Sequence, residues 1–388
     1  MQKMKFLDLF AGIGGFRIGM ESAGHECIGF CEIDKFARAS YKAIHDTKGE
    51  IELHDITTVS DDTIRGIGHV DVICGGFPCQ AFSIAGARRG FEDTRGTLFF
   101  EIARFASILK PRYLFLENVK GLLNHDRGNT FEVILSALDE LGYDVEWQVL
   151  NSKNFGVPQN RERVFIIGHL RGGSGRKVFP LSGDGAAITC EQPKINKVGN
   201  IRKKGKSQSG DVVSIDSLAP TLCSTTTQKD PLKVLIENEI KQFGVLQPNY
   251  NQSGVVYEID GISPTIRAYQ GGNLELKIRV KEATKQGYQE AEIGDSVNLS
   301  HPNSKTRRGR VGKQIANTLL TGESQGVVEP DFRIRKLTPR ECWRLQGFPD
   351  WAFDKAQEVN SNSQLYKQAG NSVTVNVIAA IAQGLGGN

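Results

Sequence analysis

One rhythm constrains this chain more than anything else. From Met4 to Leu170, short apolar runs alternate with stretches of helical spacing. "MKFLDLF" at 4–10 reads as a buried strand, 16–23 as a short helix, "ECIGFCE" at 26–32 as a second strand and 35–44 as a second helix. "VDVICGG" at 70–76, "YLFLENV" at 113–119 and "RVFIIGHL" at 163–170 are further strands, with helices predicted over 98–109 and 130–141. Strands this apolar are covered on both faces, and regular helical crossovers make them run parallel. The expected fold class is α/β, a doubly wound, mostly parallel sheet.

The rhythm then breaks. "RGGSGRK" at 171–177 has linker composition, and the next 150 residues are rich in Thr, Ser, Gly, Lys and Gln. "SLAPTL" at 217–222, "GISPTI" at 261–266 and "QIANTL" at 314–319 echo one another at uneven spacing. That argues for an irregular β-rich domain and against a solenoid. Helical signals return in "KLTPRECWRLQGFPD": Thr338 and Glu341 fit a capping box, Pro339 suits the first turn and Gly347 a helix end. The apolar stretch 376–385 needs a core to bury it, so it is expected to return to the N-terminal sheet. The expected division is 1–175, 176–334 and 335–388.

Charge follows the same division. Residues 171–335 hold 24 Lys and Arg against 17 Asp and Glu, a net of +7, whereas the remainder is net −3. A basic insert suits a polyanion such as nucleic acid, a Lys-rich solvated face being the other reading. Seven cysteines at irregular spacing predict a reducing cytoplasm, not a disulfide framework. No C-x-x-C pair is present, His25, Cys27 and Cys31 flank a buried strand, and no metal site is expected. No apolar run is long enough for a membrane span, and Asp8 interrupts any secretory signal.

Two places carry chemistry. In "DLFAGIGGF" at 8–16, Gly12, Gly14 and Gly15 stand where the first strand opens into a helix, a place where a ligand can meet backbone N–H groups. The spacing is not G-x-G-x-x-G, so a pyrophosphate dinucleotide is not favoured. Glu32, ending the second strand, can accept from ribose hydroxyls, and Asp55 can meet an adenine amino group; capping of helix and strand ends is the bland alternative. A nucleoside without phosphate fits these groups, which points to S-adenosyl-L-methionine. In "GGFPCQAFS" at 75–83, Pro78 fixes the loop and Cys79 emerges at a strand's carboxyl end. A thiolate beside a methyl donor suits cytosine. Addition at carbon 6 makes carbon 5 nucleophilic, and an acid at nitrogen 3, for which Glu117 is placed, eases the addition.

The ordered motifs "FAGIGG" at 10–15, "GGFPCQAFS" at 75–83, "ENV" at 117–119, "QNRER" at 159–163, "RKLTPRECWRLQGFPD" from Arg335 and "GNSV" at 370–373 resemble the DNA (cytosine-5) methyltransferases of bacterial and phage restriction–modification systems. The resemblance implies a Rossmann-like S-adenosyl-L-methionine-dependent catalytic domain, with S-adenosyl-L-homocysteine as product. It implies Cys79 as nucleophile, Glu117 as the acid, Arg163 at the cytosine carbonyl and Arg161 organising the site. Phe10, Gly12, Ile13, Gly14, Glu32, Ile33, Asp55, Ile56, Pro78, Leu98, Asn371 and Val373 would form the cofactor pocket, with Ile33 where some relatives carry an aromatic. Gln80, Ser83 and Arg95 belong to a segment like the loop that closes over a flipped base.

By the same resemblance the insert is a target recognition domain. Thr318–Leu319 is the best positional match to the family's Thr-Leu pair, with Thr221–Leu222 and Thr265–Ile266 as echoes, and Arg307 and Arg308 in "SKTRRGRVGK" would meet phosphates. The expected partner is double-stranded DNA and the expected state a cytoplasmic monomer. A cognate restriction endonuclease, where one exists, would act separately. The rivals are a tRNA cytosine-5 methyltransferase, a non-catalytic DNA-binding homologue and a nicotinamide dehydrogenase. The last lacks its glycine fingerprint.

Overall fold

The computed structural model describes residues 3–78, 98–173, 177–181, 278–300, 304, 306–322, 324–330 and 333–385, together with the backbone of four short strands between 197 and 257. Seven strands form the main sheet: β1 (Lys5–Leu9), β2 (Glu26–Cys31), β3 (Ile51–Leu53), β4 (Val72–Gly76), β5 (Tyr113–Val119), β6 (Tyr143–Asn151) and β7 (Glu162–Leu170). Their order is β3-β2-β1-β4-β5-β7-β6. The first five run parallel, and β7 runs antiparallel to both β5 and β6. The winding direction reverses between β1 and β4. Connections leaving their carboxyl ends diverge there and open a crevice.

The helices are α1 (Gly15–Ser22), α2 (Lys35–Ile44), α3 (Asp61–Gly66), α4 (Leu98–Leu109), α5 (Asn129–Glu140), α6 (Pro339–Leu345), α7 (Asp350–Val359), α8 (Asn362–Asn371) and α9 (Val375–Leu385). Side chains alternate along each strand, so an unbroken apolar run feeds two cores. Leu7, Leu9, Leu114 and Leu116 face one core, with Ile64 of α3, Phe99 and Phe105 of α4 and Leu138 of α5. Phe6, Val72, Phe115 and Phe165 face the other, against Phe16 and Met20 of α1 and Val377, Ile378 and Ile381 of α9. Each such fully buried side chain contributes roughly 1.5–3 kcal/mol. This explains why α9 lies on the sheet although it is distant in sequence.

A third core surrounds Trp343, whose indole N–H donates to the Leu365 carbonyl at 3.0 Å. The predicted capping box is present: the Glu341 N–H donates to Thr338 Oγ1, and the Thr338 N–H to Glu341 Oε2 at 2.7 Å. Strand β6 and helices α3, α7 and α8 go beyond the sequence reading.

By packing, the chain divides into one unit of residues 1–187 and 277–388 and a second of 188–276. The second unit contains two antiparallel ladders, β8 (Lys197–Asn200) with β9 (Asp211–Val213) and β10 (Gln242–Val245) with β11 (Val255–Tyr257). The first unit also carries a hairpin of β12 (Ile278–Lys281) and β13 (Tyr288–Ala291). It further holds a four-stranded sheet of β14 (Ser296–Asn298), β15 (Val311–Gly312), β16 (Gln325–Val328) and β17 (Ile334–Lys336). Packing thus draws its lines at 187/188 and 276/277, while the motif-based division falls at 175/176 and 334/335.

Candidate active site

At the carboxyl ends of β1, β4 and β5 lies a cleft of about 450 Å³. Phe10, Gly12, Ile13, Glu32, Pro78, Glu117, Arg161, Arg163, Asn371 and Val373 all line it, although they come from stretches spread over the whole chain. Gly14, Ile33, Asp55, Ile56 and Leu98 are not among the described residues lining it. Cys79, Gln80, Ser83 and Arg95 lie outside the described residues, as do Thr221–Leu222 and Thr265–Ile266.

The floor on one side is the turn after β1. Phe10 adopts φ 55, a conformation rare for a residue with a side chain. Glu32 fixes this turn, because its Oε2 accepts from the Gly12 N–H at 2.8 Å and its Oε1 from the Asp34 N–H at 2.7 Å. Burial raises the Glu32 pKa against the lowering effect of these two donors. Gly14 has φ 84 and lies directly over the His45 ring, leaving no space for a Cβ. Burial, with Arg17 nearby, holds His45 neutral at a pKa of about 3. Gly15 lets Val373 and Ser372 approach so closely that a Cβ would lie 2.8–2.9 Å from their side chains.

Two expected residues lie outside the cleft lining. Asp55 Oδ1 accepts from the Thr57 N–H and Oγ1, at 3.0 and 2.7 Å, capping the short turn 56–58. Ile33 is 66% exposed.

The other wall is built across β5 and β7. Their antiparallel register sets Glu117 opposite Phe165, and Arg163 lies two residues away on the same face. Arg163 Nε consequently pairs with Glu117 Oε1 at 3.0 Å. Burial raises the Glu117 pKa, although Arg163 and Arg161 oppose the shift. Arg161 is buried, and its Nη2 donates to the carbonyls of Gly370 and Ser372 at 3.2 and 2.7 Å. Its Nε and Nη1 have no partner among the described residues. Burial, reinforced by Arg163, pushes its pKa down to about 9.

Some contributors were not foreseen. Asn118 donates to the Phe77 carbonyl at 2.8 Å and so ties β5 to the loop that leads to Cys79. Lys367 and Asp34 pair at 2.7 Å on the cleft wall. Both contacts depend on α8 or on a side chain meeting a distant carbonyl, which leaves no mark in local sequence.

The basic cluster at 304–313 is only partly free. Arg310 is buried, donating to the carbonyls of Asn298 and Lys281 at 3.0 and 2.7 Å, and Lys313 bonds Asp295 at 2.8 Å. Arg308 is exposed, with Nε on the Ala283 carbonyl at 2.8 Å, and Arg307 is half-buried. Thr318 Oγ1 donates to the Asn160 carbonyl at 2.7 Å, and Leu319 is buried.

Residues 4–387 match the C-5 cytosine-specific DNA methylase family. The chain is 35% identical to the orphan methyltransferase M.SPRI of Bacillus phage SPR, over 98% of this chain and 97% of that protein. It is 35% identical to the type II methyltransferase M.HhaI of Haemophilus parahaemolyticus, over 99% and 94%. With the type II methyltransferase M.HpaII of Haemophilus parainfluenzae the identity is 37%, over 98% and 88%. In fold the chain resembles the S. pombe Dnmt2 methyltransferase, with a TM-score of 0.52 and 17% identity over 97% of this chain and 96% of that one.

Proposed function

The chain belongs to the C-5 cytosine-specific DNA methylase family and is a DNA cytosine-5 methyltransferase of restriction–modification type, and from that premise we propose how it works: it flips a cytosine from double-stranded DNA and methylates it, using S-adenosyl-L-methionine and a covalent bond from Cys79 to carbon 6. The observation that carries this reading is the Glu117–Arg163 pair in the same cleft as Glu32.

The residues of the cleft fit that cofactor. Glu32 offers a carboxylate at a strand end, oriented by the Gly12 and Asp34 N–H groups, and Phe10, Asn371 and Val373 line the same cleft. A cleft of about 450 Å³ falls in the usual range for small-molecule sites. Phe10, Glu32, Asn371 and Val373 would hold it, and when bound it supplies an electrophilic sulfonium methyl. The chain's own residues do the rest. The Cys79 thiolate forms a bond to carbon 6 of the cytosine, and ring electrons shift toward nitrogen 3. Glu117, whose pKa burial raises against the pull of Arg163 and Arg161, offers its hydrogen bond there, while Arg163 meets the carbonyl. After carbon 5 is methylated, water takes its proton, and the electrons of that C–H bond restore the carbon 5–carbon 6 double bond and expel the thiolate.

Target choice is assigned to residues 176–334. Thr318–Leu319 is the recognition pair, and Arg307 and Arg308 are the phosphate contacts. The enzyme works as a monomer, and a cognate endonuclease, where one exists, acts separately. Bisulfite sequencing of DNA from cells expressing the protein tests the reading. The wild type should mark one sequence, and Cys79→Ala should mark none. Normal methylation by Cys79→Ala would end the covalent mechanism, and methylation of tRNA in place of DNA would reassign the substrate.

A further inference from the structure

Gln159 is polar yet has no solvent exposure, and it does not itself line the cleft. It is held by two long-range bonds. Its Oε1 accepts from the Leu319 N–H at 3.2 Å, and its Nε2 donates to the Leu345 carbonyl, at the end of α6, at 2.8 Å. The backbone on either side binds the same segment. The Ala316 N–H donates to the Pro158 carbonyl and the Asn160 N–H to the Ala316 carbonyl, both at 2.8 Å. Thr318 Oγ1 adds its bond to the Asn160 carbonyl. Residues 316–319 are therefore stitched to 158–160 by backbone and side chain together.

The residues just beyond Asn160 build the catalytic wall. Arg161 holds the carbonyls of Gly370 and Ser372, and Arg163 holds Glu117. The Leu320 carbonyl also lies so close over Gly370 that a Cβ there would collide with it. A displacement of 316–320 is thus felt at both ends of Arg161's grip. Burying a carboxamide costs free energy unless its groups are bonded, and here both ends are used to fix the 316–319 segment against the end of α6.

We propose that Gln159 is a positioning residue that couples engagement of the target sequence at Thr318–Leu319 to alignment of the Glu117–Arg163 pair. The proposal rests on reading Thr318–Leu319 as the recognition pair. It predicts that Gln159 governs how strongly correct and incorrect sequences differ in rate, beyond any effect on folding.

The test uses the full-length protein and two duplexes. One carries the sequence found by bisulfite sequencing, and the other differs from it at one base pair outside the methylated cytosine. Single-turnover methylation and DNA binding are measured for the wild type, Gln159→Ala and Gln159→Glu. Gln159→Glu keeps the acceptor for Leu319 and sets a second oxygen against the Leu345 carbonyl, and unfolding curves of both variants ensure that a rate loss is scored on folded protein only. Expected is a roughly tenfold to hundredfold loss of rate on the correct duplex, with DNA affinity within about twofold. The loss on the altered duplex should be smaller, so the ratio between duplexes shrinks. Equal losses on both duplexes, or no loss in either variant, would overturn the coupling. Thr318→Val and Leu319→Ala separate the two ideas: if neither changes the rate ratio between the duplexes, the recognition reading fails, whatever Gln159 does.

Discussion

Replacing Arg161 by Met should separate stability from activity. Its guanidinium is held at a pKa of about 9, while a free one stays charged beyond about 12. That difference corresponds to roughly 5 kcal/mol against the charged form, at about 1.4 kcal/mol for each tenfold step. Against this stand two charge-assisted bonds, to Gly370 and Ser372, each contributing about 1.5–3 kcal/mol. The opposing effects nearly cancel. Met has similar length and no charge, so Arg161→Met should move the thermal midpoint by only a few degrees. Methylation should fall by about a hundredfold or more, because the Gly370 and Ser372 carbonyls, which flank Asn371, lose their tether. Differential scanning calorimetry and single-turnover methylation on the same preparation check both halves. A fall of more than about 10 °C, near 3 kcal/mol or more for a domain of this class, would show that Arg161 is chiefly structural. Unchanged methylation would remove it from the site.

Three further outcomes are expected of the cleft and the basic cluster. Burial raises the folded pKa of Glu117, so its contribution to stability is complete below the ordinary glutamate value and is lost as pH rises through the folded value. Methylation should fall with rising pH over that same window, and Glu117→Gln should lose this pH dependence together with about 10²–10⁴-fold in rate; a pH–rate profile identical in both proteins would contradict the role. Gly14→Ala places a Cβ against His45 at a left-handed backbone position and should cost roughly 2–5 kcal/mol, read by denaturant unfolding. Arg307→Ala and Arg308→Ala should each reduce the slope of log affinity against log salt by about one, whereas Lys313→Ala should not, since Lys313 is bonded to Asp295.

Much of the fold was readable in the chain because it lies in local pattern. The apolar runs 4–10, 70–76 and 113–119 could only be doubly covered strands, and Thr338 and Glu341 cap a helix by chemistry internal to four residues. The apolar character of 376–385 demanded a partner core, and α9 meets it on α1. The hidden part is set by register and long-range contact. Glu117 and Arg163 are 46 positions apart and meet only because β7 runs antiparallel to β5. The polar helices α7 and α8 carry little apolar signal. Their buried faces are short, Ala352, Phe353 and Ala356 on α7 and Leu365 and Ala369 on α8, and they are completed only by Trp343 and by Ile44 of α2, with Ser40–Gln368 and Asn360–Phe36 bonds added. In the basic cluster, sequence showed charge but not direction, and Arg310 turned inward to backbone carbonyls.

The most direct test of the central claim is a trapping experiment. Duplex DNA with 5-fluorocytosine at the target position blocks the final loss of the carbon-5 substituent, so a thiolate bonded to carbon 6 cannot leave. With S-adenosyl-L-methionine present, the wild type should form a stable protein–DNA adduct, mapped by mass spectrometry to Cys79, and Cys79→Ala should form none. Methylation of the natural duplex without any adduct on the fluorinated one, or an adduct at another residue, would contradict the account.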